Sequence, residues 1–339
     1  MRVARQIGQR LLTALPSVAG VIVVTFLLTR ILPGDTAAYF AGPAATPAAI
    51  EEIRARLGLD QTLPVQFLRY VGDLARCDFG ASLTTGQPVL ADITTRLPAS
   101  AELVLVALVL AVAIAVPLGI IAALKERSLI DHACRVVATA GVSLPVFFTG
   151  LLLVYVFYYI LGWAPSPLGR LDVFASAPPT ASGFFLIDSL LAGDVETFRA
   201  TLAQLALPAA TLAIFALAPI ARMTRGAMLS VLGSDFVRTA RAAGLSPNTV
   251  VMGYAFRNAV LPVITTLGMV FSFLLGASVL VEKVFAWPGI GSYAVEALIA
   301  SDYAPVQGFV LVMAVLYLLL NLCIDILYGL IDPRVRIDA

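Results

Sequence analysis

Side chains that could carry out catalysis are few in this sequence and do not cluster. The single histidine, His132, lies among Glu126, Arg127, Asp131 and Arg135, and no second histidine follows at the spacing of a helical ligand or base pair. No serine stands in a G-x-S-x-G turn, and the sequence contains no G-x-x-x-x-G-K-[ST] phosphate loop. We therefore expect no catalytic residue and no ATP hydrolysis by this chain.

The cysteines give no sign of a metal site or a disulfide framework. Cys77, Cys134 and Cys323 are far apart and form no C-x-x-C pair. We expect them to act as small apolar side chains, and we expect neither a metal ion nor a cofactor in this chain.

One polar segment between two apolar stretches has the pattern of a docking element. Ser234 is a candidate N-cap with Asp235 in the first turn, and Gly244 is placed where a helix needs a left-handed residue to end. Ser246 and Pro247 then begin a second helix. The spacing predicts a two-turn helix, a glycine bend and a helix leading into the next apolar stretch.

Such a short element would suit a groove on a cytosolic partner. The alternative is a basic loop whose arginines, Arg238 and Arg241, only set membrane orientation. The residues predicted to dock are Asp235, Phe236, Val237, Arg238, Thr239, Ala240, Arg241, Gly244 and Leu245.

Composition indicates which solvent surrounds these elements. The 339 residues are 60% hydrophobic and 13% charged, with a mean hydropathy of +0.95, whereas soluble domains carry about 25% charged residues. The net charge of +1 argues against nucleic acid as a partner. We predict an all-α protein embedded in the lipid bilayer.

Six stretches have the ~20 largely uncharged residues that a bilayer requires. They predict transmembrane helices over Leu11–Thr29, Leu103–Leu124, Val136–Leu161, Leu202–Ala221, Ala259–Val281 and Val306–Ile324. The first is too long for the apolar region of a signal peptide and no cleavage site follows it, so we expect it to be permanent. Basic residues concentrate in the short segments that lie on the same side of the membrane as the N-terminus. This distribution predicts that both the N-terminus and the C-terminus are cytoplasmic.

This topology divides the chain at loop boundaries. We expect an N-terminal tail and first helix over residues 1–34, an extracytoplasmic helical cap over 35–100, a transmembrane core over 101–332 and a cytoplasmic tail over 333–339. Residues 222–258 would form a long cytoplasmic loop within the core. In the cap, Thr46-Pro47 predicts one helix start, Gly58 its end and Pro64 the start of another. In the second outer segment, residues 183–191 predict a short apolar helix.

Within the apolar stretches, two features suggest close packing or a solute pathway. Gly268, Ser272 and Gly276 recur every four residues, which permits close approach to a helix of this chain or of a partner. Asp325, near the end of the last span, is either a hydrogen-bonded interfacial acid or a proton-coupling site.

Several motifs in order resemble one family of membrane proteins. The segment DFVRTARAAGLSPNTVVMGYAFRNAVLPVI, Asp235–Ile264, resembles the E-A-A-type loop of binding-protein-dependent ABC importer permeases. Here Arg238-Thr239-Ala240 takes the first three places and Gly244 the last, with the acidic residue absent. Four further segments resemble the same family, namely FLLTRILPGD, CDFGAS, VEKVFAWPGIGSYAVEAL and LYGLIDPRVR. The chain is identified as similar to the "B" permease of dipeptide, oligopeptide and nickel importers.

The resemblance implies a type I ABC importer fold and a complex. The expected partners are a second permease, two ABC ATPases that bind ATP and Mg, and an extracytoplasmic substrate-binding protein. The loop after the fifth helix would contribute an outer gate or a binding-protein contact through Trp287, Pro288, Gly289 and Gly291. The solute would be a peptide, and the resemblance leaves nickel or another small polar solute as an alternative. The competing hypotheses are an ion-coupled transporter that uses Asp325 or Glu102 and a membrane-embedded enzyme.

Overall fold

The structure, a computed structural model, describes residues 15–27, 36–42, 45–56, 58–141, 143–172 and 175–331. Regular structure in these ranges is helical, apart from one isolated bridge between Ala81 and Pro88. The helices are α1 Leu15–Leu27, α2 Thr36–Ala41, α3 Pro47–Arg56, α4 Leu63–Ala75, α5 Val89–Leu124, α6 Leu129–Ala140, α7 Val146–Ile160, α8 Phe185–Leu191, α9 Val195–Leu232, α10 Asp235–Ala242, α11 Thr249–Val284, α12 Ile290–Ile299 and α13 Tyr303–Ile331.

Four of the predicted spans coincide with helices long and apolar enough to cross a membrane, namely α5, α9, α11 and the 303–324 part of α13. These helices begin up to 14 residues before the predicted spans, because polar turns at each end are helical too. The first predicted span contains the shorter apolar helix α1, and its remaining residues lie outside the described ranges. The predicted all-α membrane architecture is confirmed.

The third predicted span is divided in the structure, so its predicted start at Val136 is wrong. Helix α6 ends at Ala140 and α7 begins at Val146, after Pro145 at its N-cap. Proline lacks an N–H and pushes the preceding residue out of the α region, which interrupts a continuous helix. The last seven residues of α7, Val154–Ile160, are π-helical.

The chain forms two compact units. The first combines residues 1–98 with 289–322. In it, Val89 and Ile93 of α5 pack with Ile290 and Tyr293 of α12 in a buried cluster. Asp302, 1% exposed, accepts hydrogen bonds from the Ser82 hydroxyl at 2.8 Å and the Leu83 N–H at 2.7 Å. This carboxylate ties the start of α13 to the segment before α5.

The two helices predicted from Thr46-Pro47 and Pro64 also lie in the first unit and are confirmed as α3 and α4. The Thr46 hydroxyl accepts the Ala49 N–H at 3.3 Å, as an N-cap should, and Gly58 has φ +67°. Their extracytoplasmic position, and the cap as a whole, remain predictions.

The second unit combines residues 99–288 with 323–339. Helix α9 is its centre: α6, α7, α8 and α11 all pack against it. It continues through Pro208 and Pro219. The predicted outer helix over residues 183–191 is present as α8, two residues shorter at its start. Helix α10 lies between α9 and α11, where the docking element was predicted.

Candidate functional site

The short helix α10 has the predicted bounds but not the predicted start. Ser234 is extended at φ −75° and ψ 153°, as an N-cap is, yet its side chain accepts no capping hydrogen bond. Its hydroxyl instead donates to the Val231 carbonyl at 2.6 Å. The prediction of a Ser234 side-chain cap is therefore wrong: the side chain is oriented toward the last turn of α9, and no N–H of α10 donates to its oxygen. Asp235 still lies in the first turn, where the helix dipole favours an anion.

The predicted glycine bend is confirmed. Gly244 has φ +75°, its N–H donates to the Arg241 carbonyl at 3.0 Å, and the Leu245 N–H donates to the Ala240 carbonyl at 3.4 Å. This pair of bonds is the Schellman arrangement, which closes a helix through a left-handed residue. A side-chain Cβ on Gly244 would meet nothing within 4 Å, so the backbone angle alone calls for glycine.

The predicted second helix also starts as expected. The Ser246 hydroxyl accepts the Thr249 N–H at 3.3 Å, which is the bond of an N-cap to its N3 residue. Pro247 is the first helical residue. The following Thr249–Phe256 segment is π-helical and runs into the α-helical part of α11. Short π-helical segments within an α-helix often occur at functional sites.

The inner face of α10 is anchored to its own chain. Val237 is 0% exposed and Ala240 5% exposed, and both pack in a cluster with Met228 of α9 and with Val250 and Ala255 of α11. Val237 and Ala240 therefore cannot contact a partner in this conformation, contrary to the prediction for these two residues. Their role is to hold the helix against α9 and α11.

The outer face of α10 remains available. Phe236 is 44% exposed and Leu245 37% exposed, and the Arg238 side chain is 76% exposed with a 3.3 Å ion pair to Asp235. Thr239, Arg241 and Gly244 are exposed too. The element thus presents a mixed apolar and charged surface on a rigidly held backbone. That arrangement supports docking more than a loop that carries charge only, and the docking role stays a prediction.

The glycine stripe of α11 is divided between two environments. A Cβ on Gly268 would collide with the Ile324 side chain of α13, so this glycine permits close packing within the chain. The Ser272 hydroxyl donates to the Gly268 carbonyl of its own helix at 3.1 Å. A Cβ on Gly276 would meet nothing within 4 Å. Among the described residues, Gly276 is the member of the stripe that has open space beside it.

The 287–291 turn differs from the expectation of an exposed outer gate. Trp287 is fully buried, and its indole N–H donates to the Ala99 carbonyl at 2.9 Å. It therefore neither anchors at the interface nor contacts a binding protein in this conformation. Gly289 and Gly291 are buried as well, whereas Pro288 is exposed. A role for this turn in gating stays a prediction, and the side chain of Asp325 lies outside the described residues.

Sequence reasoning missed a buried ion pair at the start of the second unit. Arg170 donates to the Glu102 carboxylate at 2.6 Å and to the Gly183 carbonyl at 2.8 Å, and both charged side chains are less than 10% exposed. Glu102 also accepts the Leu186 N–H at 2.8 Å. These bonds fix the segment before α8 to α5. The only sequence signal was a glutamate at the edge of an apolar span, and a single sequence gives no means of locating its partner 68 residues away.

A second buried carboxylate lies at the opposite end of α5. Asp131 of α6 is 1% exposed and receives two hydrogen bonds of 2.8 Å from Arg225 of α9. These bonds hold the pKa of the Asp131 carboxyl below its ordinary value. The His132 ring lies 3.4 Å from the Arg135 guanidinium group.

Two family models and several known proteins match this chain over nearly its whole length. Residues 115–337 match the family model "Binding-protein-dependent transport system inner membrane component", and residues 3–104 match the model of its N-terminal region. The chain is 46% identical to the probable D,D-dipeptide transport system permease protein DdpB of Escherichia coli K12, over 94% of this chain and 93% of that protein. It is 45% identical to the di/tripeptide transport system permease protein DppB of Pseudomonas aeruginosa UCBPP-PA14, over 97% and 98%.

A solved structure supports the fold. An inward-facing conformation of the MetNI methionine ABC transporter matches with a TM-score of 0.52 at 16% identity, over 69% of this chain and 93% of that chain. The predicted ABC importer permease fold is therefore confirmed at the level of architecture.

The Glu102–Arg170 pair allows a test of whether this acid is structural. We expect Glu102→Gln to lower the free energy of unfolding by about 3 kcal/mol, because it leaves a buried guanidinium without its counter-charge. The double variant Glu102→Gln/Arg170→Met should recover at least half of that loss. Glu51→Gln, which breaks the exposed Arg54 pair, is the control and should change stability by less than about 0.5 kcal/mol. Thermal unfolding of the purified proteins in detergent measures all three, and a double variant as unstable as the single would contradict this structural role.

Gly268 and Gly276 should respond differently to the same substitution. Gly268→Leu must displace Ile324, and we expect it to destabilise the isolated chain by about 1–3 kcal/mol. Gly276→Leu has room within the chain and should leave its unfolding temperature unchanged, yet disrupt co-purification of the second permease expected from the resemblance. Normal co-purification and normal uptake with Gly276→Leu would place this glycine against lipid instead.

Proposed function

Because the chain belongs to the family of binding-protein-dependent transport system inner membrane components, we propose that it is one of two pore-forming permeases of an ABC importer for di- or oligopeptides. The chain is a multi-pass inner membrane protein and a transporter subunit rather than an enzyme in its own right. In the proposed complex, a substrate-binding protein delivers the solute and two separate ATPases bind ATP and Mg. The names of the peptide permeases that it resembles support the solute class.

The observation that carries this proposal is the construction of α10. Val237 and Ala240 fix the helix to the facing ends of α9 and α11, while Phe236, Arg238 and Arg241 project away. A displacement of the exposed face must therefore be transmitted to two membrane helices. We assign the exposed face as the ATPase contact and place it, with both termini, on the cytoplasmic side, as the distribution of arginines predicts.

The ion-coupled alternative has little support from Glu102. A coupling carboxylate must bind and release a proton or an ion during transport. Glu102 instead pairs with buried Arg170 and accepts a backbone N–H, so release of its charge would break several bonds at once. This environment favours a structural role, and an ATP-driven mechanism is the function that we propose.

Reconstituted transport tests the proposal as a whole. The permease pair, its ATPases and its binding protein would be placed in vesicles, and uptake of labelled dipeptide would be followed with ATP inside and with a proton gradient alone. We expect uptake only with ATP and binding protein, with competition by unlabelled peptides and none by Ni²⁺. Uptake driven by the gradient alone would contradict the ABC mechanism, and competition by Ni²⁺ alone would contradict the peptide assignment.

Gly244 provides a second, local test of coupling. Gly244→Val forces a β-branched residue to φ +75°, which costs about 1–3 kcal/mol, and the bend should distort without any steric clash. We expect membrane insertion to persist and ATP-dependent uptake to fall at least ten-fold. Gly244→Asn is the matched control, since asparagine tolerates left-handed backbone, and it should retain most of the activity. Wild-type uptake by Gly244→Val would contradict the coupling role of this bend.

Arg238 and Arg241 separate docking from orientation. They lie three residues apart on one exposed face of α10. Arg238→Glu/Arg241→Glu should weaken ATPase retention and make it more sensitive to salt, while cysteine labelling of residues 35–100 stays unchanged. If topology is correct and ATPase retention equals wild type, the docking contact must lie elsewhere on the exposed face, at Phe236 and Leu245.

A further inference from the structure

Helix α6 is attached to α9 at two points that lie outside the docking element. At one point, Arg225 of α9 donates from Nε and Nη2 to the two carboxylate oxygens of Asp131, each at 2.8 Å. At the other, a Cβ on Gly141, the C-cap of α6, would collide with the Ile214 side chain of α9 and lie 2.7 Å from its carbonyl oxygen. The glycine therefore lets the two backbones approach closely.

The two attachment points match in spacing. At the ~1.5 Å rise per residue of an α-helix, Asp131 and Gly141 lie about 15 Å apart along α6, and Arg225 and Ile214 lie about 16 Å apart along α9. The two helices run in opposite directions, since the earlier point on α6 meets the later point on α9. A helix held at both ends can neither slide nor tilt against its neighbour, so α6 moves with α9.

The Asp131–Arg225 contact also restricts rotation. A guanidinium group and a carboxylate that share two parallel hydrogen bonds are held in one plane, which resists twisting as well as separation. Asp131 is 1% exposed, and its carboxylate accepts the Arg127 N–H at 3.1 Å in the turn before α6. The Asp131 N–H in turn donates to the Ser128 hydroxyl at 3.3 Å. The carboxylate is therefore a fixed point against which α9 is oriented.

Arg225 lies within one turn of the residue of α9 on which α10 is seated. That residue, Met228, is 0% exposed and packs with Val237 and Ala240 of α10. Residues three apart are neighbours on a helix surface, so Arg225 and Met228 turn together when α9 rotates. The orientation that Asp131 imposes on Arg225 thus sets the direction in which Met228 faces α10.

A second arginine beside Asp131 allows its charge to be separated from its link to α9. The Arg135 Nε lies 3.4 Å from the Asp131 carboxylate, but both residues belong to α6, and the Arg135 side chain is 52% exposed. Within the described part of the chain, Arg135 makes no hydrogen bond or ion pair to α9. Loss of Arg135 therefore removes a positive charge from the same carboxylate and leaves the link between the helices intact.

We propose that Asp131 is a positioning residue for energy coupling. By holding Arg225, it fixes the rotation of α9 at the seat of α10, so that a displacement of α10 moves α6 and α9 together as a rigid body. Without the link, rotation of α9 alone would absorb the displacement. The proposal rests on the proposed function, in which α10 receives the ATPase. Asp131 is buried, so it acts through Arg225 and Met228 and not by contact with the ATPase.

The reconstituted transporter complex tests this role by the amount of labelled dipeptide taken up per ATP hydrolysed. We expect Asp131→Asn and Arg225→Gln each to lower this ratio about five-fold or more, while the ATPases stay bound because the exposed face of α10 is unchanged. Arg225→Lys keeps the charge but not the paired bonds, and it should restore the ratio only in part. Arg135→Gln is the matched control and should keep the ratio within about two-fold of wild type.

A purely structural role would lower stability but leave the uptake per ATP of the surviving complexes unchanged. The double variant Asp131→Asn/Arg225→Met separates the two roles, since it has neither an unpaired charge nor a hydrogen bond between these positions. We expect its unfolding temperature to recover toward wild type while its uptake per ATP stays low. Recovery of both would overturn the proposal, as would a wild-type ratio in Asp131→Asn or an equal loss in Arg135→Gln.

The wild-type complex shows which proposal has failed. Uptake by the wild type without ATP would contradict the proposed function and, with it, the role of Asp131. ATP-dependent uptake by the wild type, together with an equal uptake per ATP in the Asp131 and Arg225 variants, would contradict the positioning role alone.

Discussion

The packing of α9 against α11 is the contact on which the functional element depends. Helix α10 lies between them in the chain, and the side chains of α10 that are buried in the described structure, Val237 and Ala240, pack where α9 and α11 approach each other. If the two long helices separated, the cluster around Met228 would open and α10 would lose its fixed position. The position of α10 therefore depends on how α9 and α11 are arranged. An energy-coupling element requires a dependence of this kind.

A second constraint is that lipid cannot satisfy polar groups, so the protein must do so itself. Threonines inside the spans meet it locally: the hydroxyls of Thr211 and Thr224 each donate to a carbonyl four residues earlier, at 2.8 Å. Buried charged groups beside the spans are satisfied by distant partners, as Glu102 is by Arg170 and Asp131 by Arg225. The Glu102–Arg170 pair holds the segment before α8 to α5, and the Asp131–Arg225 pair holds α6 to α9.

The sequence was sufficient for features set by neighbouring residues. Apolar length predicted the long spans, and the combination of Ser234, Gly244 and Pro247 placed α10 and its bend to within a residue, because caps and left-handed positions restrict residue type locally. It failed where the environment is set by distant residues. Ser234 was assigned a side-chain cap, but its hydroxyl is oriented toward the Val231 carbonyl and accepts no N–H of α10. Val237 and Trp287 were expected at contact surfaces, although they are buried. No local pattern distinguishes an apolar residue facing a partner from one facing its own core.

The same distinction explains why the two arginine-rich regions are not equivalent. Arg238 and Arg241 are exposed on a helix whose inner side is packed, so their charge is directed at whatever approaches from the aqueous phase. Arg135 forms an ion pair with the buried Asp131 at 3.4 Å, and Arg222 donates to the Ala218 carbonyl of its own helix at 3.3 Å, so both are partly used within the chain. The positive-inside rule accounts for both regions by count alone. What distinguishes the two regions is set by other residues, Asp131 for Arg135 and the packed inner face of α10 for Arg238 and Arg241, and the count of basic residues does not register it.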